Sequence, residues 1–296
     1  MTDLATTRSV VIGGAGQVGD LLAELLEALG PVTSVDPVPA TRAGVRSVGG
    51  DACAPSAAVL DAIGTADVVV FALPEQVAVD ALTACAGAVR AGALLVEVLS
   101  VKDAITPVLA SVAAAAGAEA CGLNPMFAPA LGFAGHAVAT VRVVDGPRTA
   151  ALLDLVTAAG ARVVEVSAAA HDRIGAVLQA ATHAALLAFG RVVVDRDADL
   201  PVLLDLAPPP HLAMLALAAR IGGGSPDVYW DIQAANPAAP AARAALGAAV
   251  AELDDIARRG DRVRFTEWMR RIDDRLGAEG PRLRDLCARM FRLPAR

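Results

Sequence analysis

Residues 9–19, Ser-Val-Val-Ile-Gly-Gly-Ala-Gly-Gln-Val-Gly, decide the fold of this chain. Val10, Val11 and Ile12 form a short β-branched run with no polar face, as a strand buried on both sides requires. The run breaks at Gly13 and Gly14, and Leu21, Leu22, Leu25, Leu26 and Leu29 then recur at helical spacing up to Gly30. Strand, glycine turn and helix give Gly14-x-Gly16-x-x-Gly19 a mechanical meaning. One glycine permits the tight turn, one lets backbone approach a pyrophosphate, and one lets the helix pack on the sheet. The helix start at Gln17 and Val18 offers free N–H groups and a positive dipole end to the same phosphates.

Outward from this turn, residues 32–36 read as a second strand that ends in Asp36. A carboxylate there accepts the two ribose hydroxyls and repels a 2′-phosphate, so NAD is expected over NADP. Arg42 is the residue that keeps NADP open. Residues 66–73 and 93–99 read as a third and a fourth strand, with a helix over 76–90 between them. Leu73 and Pro74, closing the third, are assigned to the cofactor side. Further strands are expected at 137–144 and 162–166. This alternation predicts an α/β Rossmann-type, doubly wound parallel sheet with right-handed crossovers. After about residue 168 the β-rich runs stop. Helices are expected at 169–194, 201–221, 241–259 and 263–276, separated by breaks such as Gly222-Gly223-Gly224 and Asn236-Pro237. The expected division is a cofactor domain at 1–167 and a helical substrate and dimerisation domain at 168–296.

Composition narrows the partners. A net charge of −7 with dispersed basic residues gives no footprint for phosphate backbones or anionic lipid, so neither nucleic acid nor a membrane surface is an expected partner. The apolar stretch 174–190 contains Gln179, Thr182 and His183 and reads as a buried helix rather than a span. Cys53, Cys85, Cys121 and Cys287 lie far apart with no metal-ligand spacing, which predicts neither disulfides nor a metal site and fits a reducing cytoplasm. Asp3 precedes any apolar run, so the N-terminus reads as the lead-in to a strand, with a start near Met1. In a chain dominated by Ala, Gly, Val and Arg, Lys102 is the only lysine, Tyr229 the only tyrosine, and Asn124 and Asn236 the only asparagines.

Several segments then follow in order: residues 66–74 (Ala-Asp-Val-Val-Val-Phe-Ala-Leu-Pro), 97–102 (Glu-Val-Leu-Ser-Val-Lys) and 122–129 (Gly-Leu-Asn-Pro-Met-Phe-Ala-Pro), then His171-Asp172 and Gln179-x-x-x-His183. Together they resemble the prephenate/arogenate dehydrogenase family over roughly residues 8–275. That resemblance implies hydride removal from C4 of a cyclohexadiene, loss of the ring carboxylate as CO2, an aromatic product and a homodimer. It places Ser100 near the reacting C4 substituent, and Ser100 also fits a helix N-cap for the segment from Val101. It matches Lys102 to the lysine of the same turn and His183 to a histidine on the first helix of the second domain, with Gln179 one turn earlier. A buried histidine bonded to a neighbouring carbonyl is the plain alternative for His183. His171 and Asp172 read as an N-terminal cap and hinge contact, and His136 and His211 as structural.

Two positions depart from the family pattern. The general-base histidine of its His-Pro-Met segment is replaced by Asn124, and an amide takes no proton at neutral pH. The arginine that grips the substrate carboxylate aligns with Ala238, and Arg243 is the nearest replacement. An amine at C4 answers the first loss, because its neutral lone pair drives hydride out without a base, and Asn124 then orients the nitrogen. Some members of the family act on 4-amino-4-deoxyprephenate and give 4-aminophenylpyruvate, and this sequence fits that branch. The alternatives are prephenate or arogenate as substrate, and a non-catalytic NAD-binding protein. A β-hydroxyacid-type dehydrogenase shares the plan but uses a lysine on its helical domain, and no lysine follows Lys102 here.

Overall fold

The buried first strand and its glycine turn set the frame of the computed structural model, which describes residues 7–195 and 199–292. The reading of Met1 and Asp3 as a strand lead-in lies outside the described residues. β1 (Ser9–Ile12) is buried along its whole length and pairs in parallel with β2 (Val32–Asp36) and β4 (Val68–Phe71). β5 (Leu94–Glu97) and β6 (Glu119–Pro125) continue the parallel run, and β3 (Arg46–Gly49) adds an edge beside β2. The eight-stranded order is β3-β2-β1-β4-β5-β6-β7-β8. The sheet departs from the expected all-parallel one at β7 (Ala137–Val144), which runs antiparallel to β6 before β8 (Arg162–Glu165) pairs in parallel with it.

Helices α1 (Gln17–Leu26), α2 (Ala57–Gly64), α3 (Glu75–Cys85), α4 (Ile105–Ala116) and α5 (Pro147–Ala158) cross between strands and cover both faces. One core layer joins Ile12, Phe71, Leu82, Leu95 and Leu109, and the other joins Val11, Leu22, Leu26, Val70 and Leu123. Fully burying such a side chain is worth about 1.5–3 kcal/mol, so these layers make the sheet a rigid platform.

The helical half begins with α6 (Ala168–Gly175), a π-turn over Ala176–Ala181 and α7 (Thr182–Asp195). α8 (Leu200–Leu206), α9 (Pro209–Gly222), α10 (Pro226–Ala234), α11 (Ala239–Arg259), α12 (Arg262–Leu276) and α13 (Glu279–Met290) follow. Residues 201–221 thus form two helices rather than one, because Pro208, Pro209 and Pro210 remove backbone donors and stop α8. The chain makes two compact units, one of Met1–Gly175 with Trp230–Pro237 and one of Ala176–Tyr229 with Ala238–Arg296. In the second, α7 packs on α9 and α11 on the π-turn.

The apolar stretch at 174–190 is not the buried helix it resembles. The continuous helix Ala168–Asp195 is long and apolar enough to cross a membrane by length and composition, and only 11% of its most apolar window is buried. Val177, Leu178, Leu187 and Val192 lie exposed along it.

Candidate active site

Close contacts shape the glycine turn. Gly13 holds φ +82°, and a Cβ there would sit 2.1 Å from the Ala72 carbonyl oxygen. A Cβ on Gly19 would sit 2.1 Å from the Gly13 oxygen, and one on Gly14 would sit 2.3 Å from Ser34 Oγ. The first turn of α1 is therefore pressed against the loop. Gly16 caps α1 without a side-chain hydrogen bond, which leaves the N–H groups at Gln17 and Val18 for a ligand. Asp36 closes β2 beside this turn, its carboxylate accepting from the Ala15 N–H at 3.2 Å and the Val38 N–H at 2.9 Å. Arg42 is held elsewhere, donating to Asp20 at 2.7 Å and Glu24 at 2.8 Å. Leu73 and Pro74 follow β4 at its carboxyl end, and Pro74 is the N-cap of α3. These groups fit a dinucleotide diphosphate and an unphosphorylated ribose.

At the same edge of the sheet, β5 runs into the turn Ser100-Val101-Lys102, where Ser100 is half-buried. Lys102 departs from its expected role as a substrate contact. Its side chain is 0% exposed, and Nζ donates to Glu97 at 2.8 Å, to the Leu99 carbonyl at 2.8 Å and to the Leu123 carbonyl at 2.9 Å. All three donors of the ammonium are used, so none faces outward. Glu97 is equally buried and also accepts from the Leu99 N–H. Burial pushes the Glu97 carboxyl up, and the Lys102 ammonium opposes that push. Gly122 on β6 makes room for the pair, since a Cβ there would sit 1.9 Å from Glu97 Oε1.

Glu75, which the sequence reading passed over, holds the same turn from α3. Its Oε1 accepts from the Val101 N–H at 2.9 Å, and its own N–H donates to Asp231 at 3.2 Å. Burial pushes the Glu75 carboxyl up to about 8.

Asn124 is 3% exposed at the end of β6, and its side-chain amide lies 3.0 Å from His171 Nε2. His171 Nδ1 lies 2.8 Å from Asp172 Oδ1. The Asp172 carboxylate in turn accepts from the Lys102 N–H at 2.9 Å and the Asp103 N–H at 2.9 Å. His171 and Asp172 are therefore not a cap and hinge contact of their own helix. They anchor the turn that leads into α4 and reach Asn124. Asn236, from the segment Trp230–Pro237 of the same unit, donates to the Asp172 carbonyl at 2.9 Å. The only lysine and both asparagines thus meet in one buried network. His136 bonds to the Gly132 carbonyl at 3.1 Å and serves the fold, and His211 packs edge-on against Phe189 at 5.2 Å.

The remaining expected residues lie in the second unit. Gln179 falls inside the π-turn, whose wider winding breaks the i, i+4 register expected between it and His183. His183 packs edge-on against Tyr229 with centroids 5.0 Å apart, and its buried Nδ1 has no partner. Burial, and then the nearby Arg220 charge, hold the His183 imidazole below its ordinary range. Arg220 closes α9, whereas Arg243 lies on α11. Sequence reasoning missed Arg220, although it stands just ahead of the Gly222-Gly223-Gly224 break. Among the described residues no cluster of His, Cys, Asp and Glu could hold a metal ion.

A glycine-turn β1-α1 unit, an acid closing β2 and polar side chains at the carboxyl ends of β5 and β6 define the class. This is a Rossmann-type dinucleotide-dependent oxidoreductase with an appended helical unit. Residues 167–271 match the family model of the prephenate dehydrogenase dimerization domain. A 4-amino-4-deoxyprephenate dehydrogenase of Streptomyces pristinaespiralis is 51% identical over 286 residues, covering 96% of each chain. The fold is shared with prephenate dehydrogenase from A. aeolicus, solved with hydroxyphenyl propionate and NAD+, at a TM-score of 0.69 and 16% identity over 91% of this chain and 97% of that one. It is shared as well with Synechocystis arogenate dehydrogenase, at 0.65 and 17% over 94% and 99%. The chain belongs to the prephenate dehydrogenase family.

Proposed function

We propose that this enzyme oxidatively decarboxylates 4-amino-4-deoxyprephenate to 4-aminophenylpyruvate with NAD. The observation that carries this reading is Asn124, an amide where the family places a base, together with the 51% identity to a relative named for that substrate. Gly14, Gly16, Gln17, Val18 and Gly19 would hold the diphosphate, Asp36 the ribose, and Leu73 and Pro74 would flank the nicotinamide. NAD bound there supplies the hydride acceptor. Arg42, already bound to acids on α1, is not free to receive a 2′-phosphate, which favours NAD over NADP.

In this reading the protein moves no proton at the reacting nitrogen. The neutral C4 amine expels hydride and becomes an iminium, and the Asn124 side-chain oxygen accepts from its N–H. Loss of CO2 returns the electron pair to the ring. Ser100 lies on the same rim and bonds to the same substituent. Arg220 replaces Arg243 in the assignment of the substrate carboxylate, because its charge is the one felt at His183, and His183 keeps an unpartnered nitrogen for a ligand. Gln179, on the π-turn ahead of α7, is kept as a proposed substrate contact.

The division we adopt is a cofactor domain over 1–167 and a helical domain over 168–296. The exposed apolar stripes of Ala168–Asp195 and α12 support a homodimer in which a second copy covers them. Four free, separate thiols support a reducing, cytoplasmic setting. The test is NADH formation with prephenate, arogenate and 4-amino-4-deoxyprephenate, each with NAD and NADP. The amino compound with NAD is expected to dominate kcat/KM, and comparable turnover of prephenate overturns the assignment.

A further inference from the structure

The chain Lys102 N–H, Asp172, His171, Asn124 does more than fill a buried space. Asp172 is fixed first, because two backbone N–H groups, of Lys102 at 2.9 Å and Asp103 at 2.9 Å, end on its carboxylate. A carboxylate is acceptor-only, so His171 Nδ1, 2.8 Å away, must carry a proton and donate it. In the neutral ring Nε2 is then left as a lone pair, since the bond made by one ring nitrogen sets the role of the other. Facing that lone pair at 3.0 Å is the Asn124 amide, which can meet it only with its NH2 end. The carbonyl oxygen is then turned the other way.

We propose that Asp172 and His171 form a positioning pair that fixes the amide of Asn124 so that position 124 turns its carbonyl oxygen, an acceptor, to the substrate. This rests on the proposed use of an amine at C4. A neutral amine brings N–H donors to the reacting carbon, and the iminium it becomes is a still stronger donor, so an oriented acceptor is matched most tightly to the state after hydride has left. Were the amide reversed, its NH2 would face the nitrogen whose lone pair must drive the reaction, and would draw that pair away. Orientation at 124 therefore decides rate more than binding, and it is decided two side chains away from the substrate. His171 touches no substrate in this scheme and acts only through Asn124.

The protein has four histidines, so ring-nitrogen resonances in a 15N-labelled sample can be assigned by substituting them one at a time. In the wild type, His171 is expected to show protonated Nδ1 and lone-pair Nε2. Asp172→Asn, which can turn an NH2 toward Nδ1, is expected to move the proton to Nε2. The same variant should lower kcat for the amino compound at least about tenfold, the scale of one misdirected hydrogen bond, with KM and NAD affinity changed by less than about twofold. His171→Phe is expected to lose kcat to the same degree. His171→Gln, whose side-chain oxygen can accept from Asn124, should recover most of it. A merely structural pair would instead lower thermal stability and NAD affinity together and show no rescue by Gln. Wild-type His171 protonated at Nε2 overturns the proposal, as does a folded His171→Phe enzyme with kcat within about twofold of wild type. If the wild type prefers prephenate, the substrate assignment fails while the nitrogen resonances still report on the pair.

Discussion

Replacing Lys102 by methionine separates a buried strut from a substrate contact. Lys102 and Glu97 are 0% and 1% exposed, and the ammonium also serves the Leu99 and Leu123 carbonyls. Lys102→Met keeps the volume but leaves a carboxylate and two carbonyl oxygens without their donor. Breaking a buried pair on one side costs about 3–5 kcal/mol, capped by the option of Glu97 taking up a proton. At about 2–4 °C per kcal/mol for a domain of this size, the midpoint should fall by about 6–20 °C. The loss should shrink as pH is lowered, because the stranded Glu97 is then neutralised. Adding Glu97→Gln, which removes the charge and keeps an oxygen for the Leu99 N–H, should recover more than half of the loss. Urea unfolding followed by circular dichroism, together with KM for the amino compound, measures both sides. If Lys102→Met unfolds within about 1 kcal/mol of wild type while KM rises tenfold, the side chain serves the ligand and the buried-strut argument is wrong.

Three further outcomes follow from the site. Glu75 is held near about 8 against an ordinary 4.5, so the folded protein keeps a proton that the unfolded chain releases, and stability falls as pH rises through that window. Glu75→Gln imitates the protonated form, so its thermal midpoint should match wild type near about pH 5 and exceed it above about pH 8; the opposite trend would show that Glu75 is ionised in the fold. Asp36→Ser removes two charge-assisted bonds to the ribose and should raise the NAD dissociation constant about tenfold or more while narrowing the gap to NADP, read by calorimetry. Arg220→Ala should raise KM for the dicarboxylate substrate more than about tenfold, and the NMR titration midpoint of His183 should move upward as a like charge is removed. An unmoved His183 would place Arg220 outside its surroundings.

Local pattern was enough wherever a residue's role depends on its neighbours in the chain. The β1 run, the spacing of Gly14, Gly16 and Gly19, the acid closing β2 and the loss of β-rich segments after residue 168 were all legible because strand burial, turn geometry and helical period are short-range. β3 escaped because Arg46–Gly49 is a mostly exposed edge without alternation. β6 escaped because Gly122, Asn124 and Pro125 look like turn residues, and only pairing with β5 and β7 makes them a strand. The composition of 174–190 fits a buried helix, yet burial depends on what packs against it.

By itself, then, the sequence determined the dinucleotide turn, the layered class of the fold, the family and the missing base at Asn124. Tertiary structure alone decided that Lys102 turns inward to Glu97 rather than outward, that Asp172 secures a turn some seventy residues away in the chain, and that His171 lies against Asn124. The physical reason is that a buried polar group must find a partner wherever the fold supplies one. Which partner that is depends on strand order and register, and residue spacing along the chain carries neither.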